Sequence, residues 1–138
     1  MKILFIINPK SGKGRDPQDT VNCIKLNFPQ AACALTTGPR HATELAAQAV
    51  SQQYEAVVAV GGDGTINETA QALVNTPTAL GVIPGGSGNG FARELRMPLH
   101  LQESVFCLQK AKTVRCDVGQ ANGELFLNLA GVGIEAQI

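Results

Sequence analysis

The sequence carries no surplus of either charge: 11 Lys and Arg offset 11 Asp and Glu over 138 residues. A nucleic-acid partner usually shows as a basic excess, so none is expected here. Nor is there an apolar run near the roughly 20 residues a helix needs to cross a bilayer. The opening stretch MKILFIINPKSGKG has one Lys before a short apolar run, and no small-residue cleavage site follows. It reads as a first strand and not as a secretory signal. Cysteine chemistry is equally thin. Cys23, Cys33, Cys107 and Cys116 form no C-x-x-C pair and have no His at metal-ligand spacing, which argues against a zinc site or a redox motif. They read as reduced cytosolic thiols serving as small core residues. No Ser-His-Asp or Cys-His arrangement stands out.

What is present is the make-up of a globular chain, 44% apolar and 16% charged. The length suits one domain able to bury about two thirds of its unfolded surface. Ile3 to Ile7 is an unbroken aliphatic run stopped by Asn8-Pro9, the mark of a strand buried on both faces. Asp16 to Phe28 reads as a helix ended by Pro29, and Ala31 to Thr36 as a second strand. Ala42, Leu45, Ala46, Ala49 and Val50 fall on one helical face. Val57 to Val60 makes a third strand and Thr65 to Val74 a helix with Ile66, Ala70, Leu73 and Val74 inward. Leu80 to Ile83 makes a fourth strand stopped by Pro84. Helices over Phe91 to Leu95 and Leu101 to Lys110 follow.

This alternation predicts an α/β fold, an open and mostly parallel sheet flanked by helices. The character changes after residue 112. Asn122-Gly123 between two apolar-rich runs predicts a type I′ hairpin. The expected organisation is therefore an α/β domain over 1–112 and the start of an antiparallel, β-rich domain over 113–138. The sequence stops at Ile138 without turn chemistry, so it reads as part of something longer.

Seven of the 15 glycines lie in two loops, Gly61-Gly62-Asp63-Gly64 and Gly85-Gly86-Ser87-Gly88-Asn89-Gly90. Each follows an expected strand and precedes an expected helix, as does the loop Asn8 to Gly14. In an open parallel sheet all three reach the rim where ligands bind. Glycine there permits positive φ and lets a ligand approach backbone N–H groups, which favour anions. The spacing is neither a Walker A loop nor the dinucleotide fingerprint. Asp63 would repel a phosphate unless a cation lies between, and Mg²⁺ is held by one or two carboxylates plus phosphate oxygens. The pairing suggests Mg²⁺-nucleotide; the alternative is a turn-forming Asp. Thr65 and Glu68 fit a capping box. Asn67 faces either ligand or solvent. Ser87 and Asn89 either cap a helix or donate to phosphate. Lys10, Lys13 and Arg15 read as solvated charges, with phosphate neutralisation as the rival. His41 reads as a partly exposed residue at a helix start, with a general-base role as the lesser alternative, and His100 as surface.

At these loops the chain resembles the catalytic domain shared by diacylglycerol kinases, sphingosine kinases and related bacterial lipid kinases. The segments that carry the likeness are INPKSGKG, TTGPRHATELA, VVAVGGDGTINE, GVIPGGSGNGFAREL, DVG and LNLAGVGIEA, in the family's order over nearly the whole chain. The resemblance implies phosphorylation of a lipid hydroxyl by ATP with Mg²⁺, bound between two domains. It carries nucleotide contacts onto Asn8, Ser11, Gly12 and Thr36, then Gly62, Asp63, Gly64, Thr65 and Glu68, then Gly86, Ser87 and Asn89. Asp63 is the expected metal ligand and catalytic carboxylate. Many bacterial diacylglycerol kinases have Thr in place of Ser87 and Asp in place of Gly90, while GSGN is nearer the sphingosine-kinase spelling, which leaves the acceptor open. The catalytic base is expected in the second domain, beyond this stretch, so the 138 residues alone are expected to bind nucleotide weakly without turnover. The resemblance further implies a cytoplasmic protein touching the membrane surface transiently; pairing into a homodimer through an exposed edge is also expected. An NAD kinase-like enzyme and a non-catalytic nucleotide-binding module are the alternatives.

Overall fold

In a computed structural model, residues 2–11, 14–85, 90, 97–109, 118–121 and 124–127 are described, the last two segments for their backbone only. Strands β1 (Ile3–Ile7), β2 (Ala32–Leu35), β3 (Ala56–Gly61) and β4 (Ala79–Pro84) form one sheet in the order β2-β1-β3-β4. Every neighbouring pair is parallel. Helices α1 (Pro17–Asn27), α2 (His41–Ser51), α3 (Asp63–Leu73) and α4 (Leu101–Leu108) cover it. The parallel sheet flanked by helices is the architecture the aliphatic runs imply.

The strands are apolar on both faces because both are covered. Phe5, Ile7, Val58, Val60 and Ile83 pack with Cys23 and Ile24 of α1 and with Leu101 and Val105 of α4. The alternate residues Leu4, Ile6 and Val57 pack with Ala42, Ala46 and Ala49 of α2 and Leu73 of α3. This is the two-residue period of a pleated strand. Phe5 and Phe28 stack at a tilt, ring centroids 5.3 Å apart. Cys23 is buried and Cys33 and Cys107 partly so, all three as free thiols. Burial raises the Cys23 and Cys33 thiols above their ordinary range, with Arg15 and Lys25 opposing the shift, so neither is activated as a thiolate.

Helix boundaries follow local chemistry in one case and not in another. Asp16, read from the sequence as the first residue of the helix, is instead the cap of α1: its Oδ1 accepts the Gln18 N–H at 2.9 Å, and Pro17 takes the first helical position. The α3 start corrects the sequence reading. The helix begins at Asp63 with Gly62 as its cap, two residues before Thr65, and no side chain caps it. The Thr65–Glu68 capping box therefore does not form. Val74 is the C-terminal cap and not part of the helix.

The order in which strands are added reverses at β1. The α1 crossover runs to β2 on one side of β1, and β3 lies on the other. The carboxyl ends of β1 and β3 thus flank the point where ligands bind in open α/β sheets. Strands β5 (Val118–Ala121) and β6 (Glu124–Leu127) pair antiparallel, with Ala121 opposite Glu124. That register is the expected hairpin, and the β6 backbone runs beside α3. The turn residues Asn122 and Gly123, the boundary at residue 112 and the helix expected over Phe91 to Leu95 lie outside the described residues.

Candidate functional site

The loops after β1, β3 and β4 meet at this rim. Asn8 leaves β1 with its N–H on the Val60 carbonyl at 3.0 Å, which ties it to β3. Its Oδ1 accepts the Lys10 N–H at 3.0 Å and its Nδ2 donates to Thr65 Oγ1 at 3.3 Å. Ser11 closes the turn by donating its N–H and its hydroxyl to the Asn8 carbonyl, at 3.1 and 2.7 Å. Asn8 thus organises the first loop and links it to α3, while the buried Thr65 hydroxyl receives it. This is where the hydroxyl goes in place of a capping box.

Glycine works here chiefly through packing. Among the described glycines only Gly14 has positive φ, so the expected need for left-handed backbone does not hold at Gly61, Gly62, Gly64, Gly85 or Gly90. Gly85 lies against Ser11 and Gly61: a Cβ there would sit 2.9 Å from Ser11 Oγ and 3.2 Å from the Gly61 Cα. A Cβ on Gly61 would meet Thr65 Oγ1 at 2.8 Å. Gly64 is different, since nothing lies within 4 Å of its would-be Cβ and the residue is exposed. It leaves the first turn of α3 open to approach.

That first turn is the electropositive end of the helix. The first helical bond is Ile66 N–H to the Gly62 carbonyl at 3.1 Å, so the residues before Ile66 form the amino end of the helical ladder. Asp63 is exposed, and its Oδ2 accepts the Gly90 N–H at 2.9 Å. The carboxylate therefore joins the second glycine loop to the first. It is neither buried nor limited to its own turn. Among the described residues no group of three His, Cys, Asp or Glu could cage a metal. One exposed carboxylate at a helix start fits a cation shared with phosphate oxygens and water, not a protein-enclosed ion.

The other expected residues fall around this centre. Thr36 follows β2 and donates its N–H to the Ile7 carbonyl at 2.9 Å, which places it beside Asn8. Glu68 is half-buried on α3, and its carbonyl accepts from Thr43 Oγ1 at 2.7 Å. Asn67 is half-buried on α3, with its Oδ1 enclosed and without a hydrogen-bond partner among the described residues. Gly12, Lys13, Gly86, Ser87 and Asn89 lie outside the described residues. Sequence reasoning missed two features. The packing role of Gly61 and Gly85 has no sequence signal, because crowding by a neighbouring loop is not local. The bond from the Thr37 N–H to His41 Nδ1 at 2.9 Å has one, a His at the first position of a helix shortly after a strand.

Comparison with known proteins decides the family. The model of the diacylglycerol kinase catalytic domain matches residues 2–121. The chain belongs to that family. It is 34% identical to a diacylglycerol kinase of Staphylococcus saprophyticus over 97% of this chain and 46% of the relative. It is 38% identical to that of Bacillus subtilis over 94% and 45%. A crystal structure of a diacylglycerol kinase from Bacillus anthracis strain Sterne superposes with TM-score 0.79 at 32% identity, covering 92% of this chain and 46% of that one. The family domain described here thus spans about half the length of these relatives. Among its described residues no helix is long and apolar enough to cross a membrane.

Proposed function

We propose that this chain is the nucleotide-binding part of an ATP-dependent lipid kinase, with the β-rich stretch from about residue 113 opening the acceptor-binding domain. The observation that supports this most is the convergence at one sheet rim: Asn8 reaching Thr65, Gly85 seated on Ser11 and Asp63 holding Gly90, around the open start of α3. Phosphoryl transfer needs mainly positioning and charge neutralisation, which such a rim can supply.

In this reading the amides at the start of α3 and the loop residues Ser11, Gly12, Gly62, Gly64, Gly86, Ser87 and Asn89 cradle the phosphates. Asn8 and Thr65 keep the first loop against α3, and Thr36 and Glu68 border the nucleotide. Asp63 holds Mg²⁺, which supplies charge neutralisation at the phosphates when bound. The catalytic base is left to the second domain. The acceptor is a lipid hydroxyl of the diacylglycerol or sphingoid-base type. The protein works in the cytoplasm with transient contact at the membrane surface, and pairing into a homodimer is part of the same proposal.

The test is an acceptor panel with labelled ATP and the intact protein: diacylglycerol, sphingoid base and NAD. Label in a lipid supports the reading, and label only in NAD overturns it. Thermal unfolding with Mg-ATP separates an enzyme from an inert module, because a ligand at 100 times its Kd adds about 2.7 kcal/mol.

A further inference from the structure

We propose that His41 is a positioning residue for the nucleotide rim, holding the Thr37 amide so that Thr36 stays against the end of β1. The inference rests on the kinase reading above. The Thr37 N–H donates to His41 Nδ1 at 2.9 Å, and Thr37 Oγ1 lies 3.2 Å from the same nitrogen. An Nδ1 that accepts an N–H carries no proton, so the ring is the Nε2–H tautomer. A nitrogen engaged this way is not placed to take a proton from an acceptor hydroxyl, which removes the general-base alternative for Nδ1.

The contact lies where the sheet itself offers no support. Strand β2 is at the edge, with β1 on one side only. The last tie between these strands is Thr36 N–H to the Ile7 carbonyl. Beyond it the chain turns through Gly38 to Arg40, whose φ of 65° is left-handed, a conformation disfavoured for a residue with a Cβ. The turn is closed by His41 twice, through its own N–H to the Gly38 carbonyl at 3.3 Å and through Nδ1 to Thr37. Two residues on, Thr43 Oγ1 holds the Glu68 carbonyl. The first turn of α2 therefore grips the Thr36 loop on one side and the helix carrying Asp63 on the other. Loss of the imidazole acceptor frees the Thr37 amide and loosens Thr36, with the α2–α3 tie intact.

The experiment compares wild type, His41→Ala and His41→Asn in the intact protein, reading Mg-ATP Kd, KM for ATP, kcat and exchange of the Thr37 amide. Asn keeps a side-chain acceptor near the place of Nδ1 and Ala does not. The expected result is a slowly exchanging Thr37 amide in wild type and Asn, and a fast one in Ala. Ala raises Kd and KM for ATP by about 2- to 13-fold, the range one hydrogen bond supplies, and leaves kcat nearly unchanged, while Asn restores both. Equal Thr37 exchange in all three proteins, or an Asn variant as weak as Ala, overturns the role of His41 while wild-type binding still stands. A wild type that binds no Mg-ATP, with Thr37 protected, overturns the kinase reading and the positioning role with it.

Discussion

At the amino end of the sheet, side chains hold the strands. Lys2 sets its Nζ over the Tyr54 ring, 4.6 Å from the centroid, and donates to the Gln52 carbonyl at 2.8 Å. Its backbone N–H reaches Glu55 Oε1 at 3.3 Å, and Glu55 returns an N–H to the Lys2 carbonyl at 2.8 Å. At the carboxyl end of the same strands the loops touch through bare backbone and short polar side chains: Gly85 on Ser11, Gly61 on Thr65, Asn8 on Thr65. One end is filled by the protein's own long side chains. The other is drawn together until a methyl group would not fit, yet keeps Gly64 and Asp63 exposed at a helix start. A rim built to be stable alone would resemble the first. The contrast between the ends therefore carries functional information that neither end has by itself.

Substitutions can break that contrast. The largest effect is expected at Asp63. Asp63→Ala should lower lipid phosphorylation by about 100- to 1,000-fold, the scale of removing one charge-stabilising group, with little change in Tm. Activity within twofold of wild type would remove Asp63 from the chemistry. Gly85→Ala should act on the fold instead. Its Cβ would press on Ser11 Oγ and the Gly61 backbone, and overpacking costs about 1–3 kcal/mol, visible as a lower denaturation midpoint without nucleotide. Gly64→Ala is the counterpart in open space. Alanine favours helix by roughly 0.5–1 kcal/mol, so stability should hold or rise while Mg-ATP binding weakens. Stability lost equally at Gly85 and Gly64 would erase the distinction between a packed and an open glycine. The smallest effect is expected at the amino end: Lys2→Ala should cost about 0.5–1 kcal/mol through the lost cation–π contact and leave Mg-ATP affinity unchanged.

These outcomes bear on what could be read from residues alone. Both central strands were legible because burial on two faces forces unbroken aliphatic runs such as Ile3 to Ile7 and Val57 to Val60. The α1 start was placed to within one residue, at Asp16 in place of Pro17, although the cap that Asp16 supplies went unread. The α3 start was not. Thr65 and Glu68 have the spacing of a capping box, but the Thr65 hydroxyl is bound by Asn8, 57 residues earlier, and the helix opens without a side-chain cap. The glycines were legible as a rim, but the left-handed backbone expected of them is absent at the described positions of the Gly61 and Gly85 loops, and the packing of Ser11 on Gly85 depends on the fold being already formed. Asp63 was legible as an anomaly, and its bond to Gly90 was not, because that contact joins loops 27 residues apart.

The place of β1 has a consequence for how the chain is made. Ile3 to Ile7 pairs on both edges, with Ala32 to Leu35 and with Ala56 to Val60. Its second partner leaves the ribosome about 50 residues later, some 3 to 10 seconds at roughly 5–20 residues per second. For that interval a greasy ILFII ribbon waits with at least one side unzipped, a segment of the type that nucleates cross-β stacking. Until both partners arrive, that ribbon offers any passing strand the same backbone groups that the finished sheet keeps for itself.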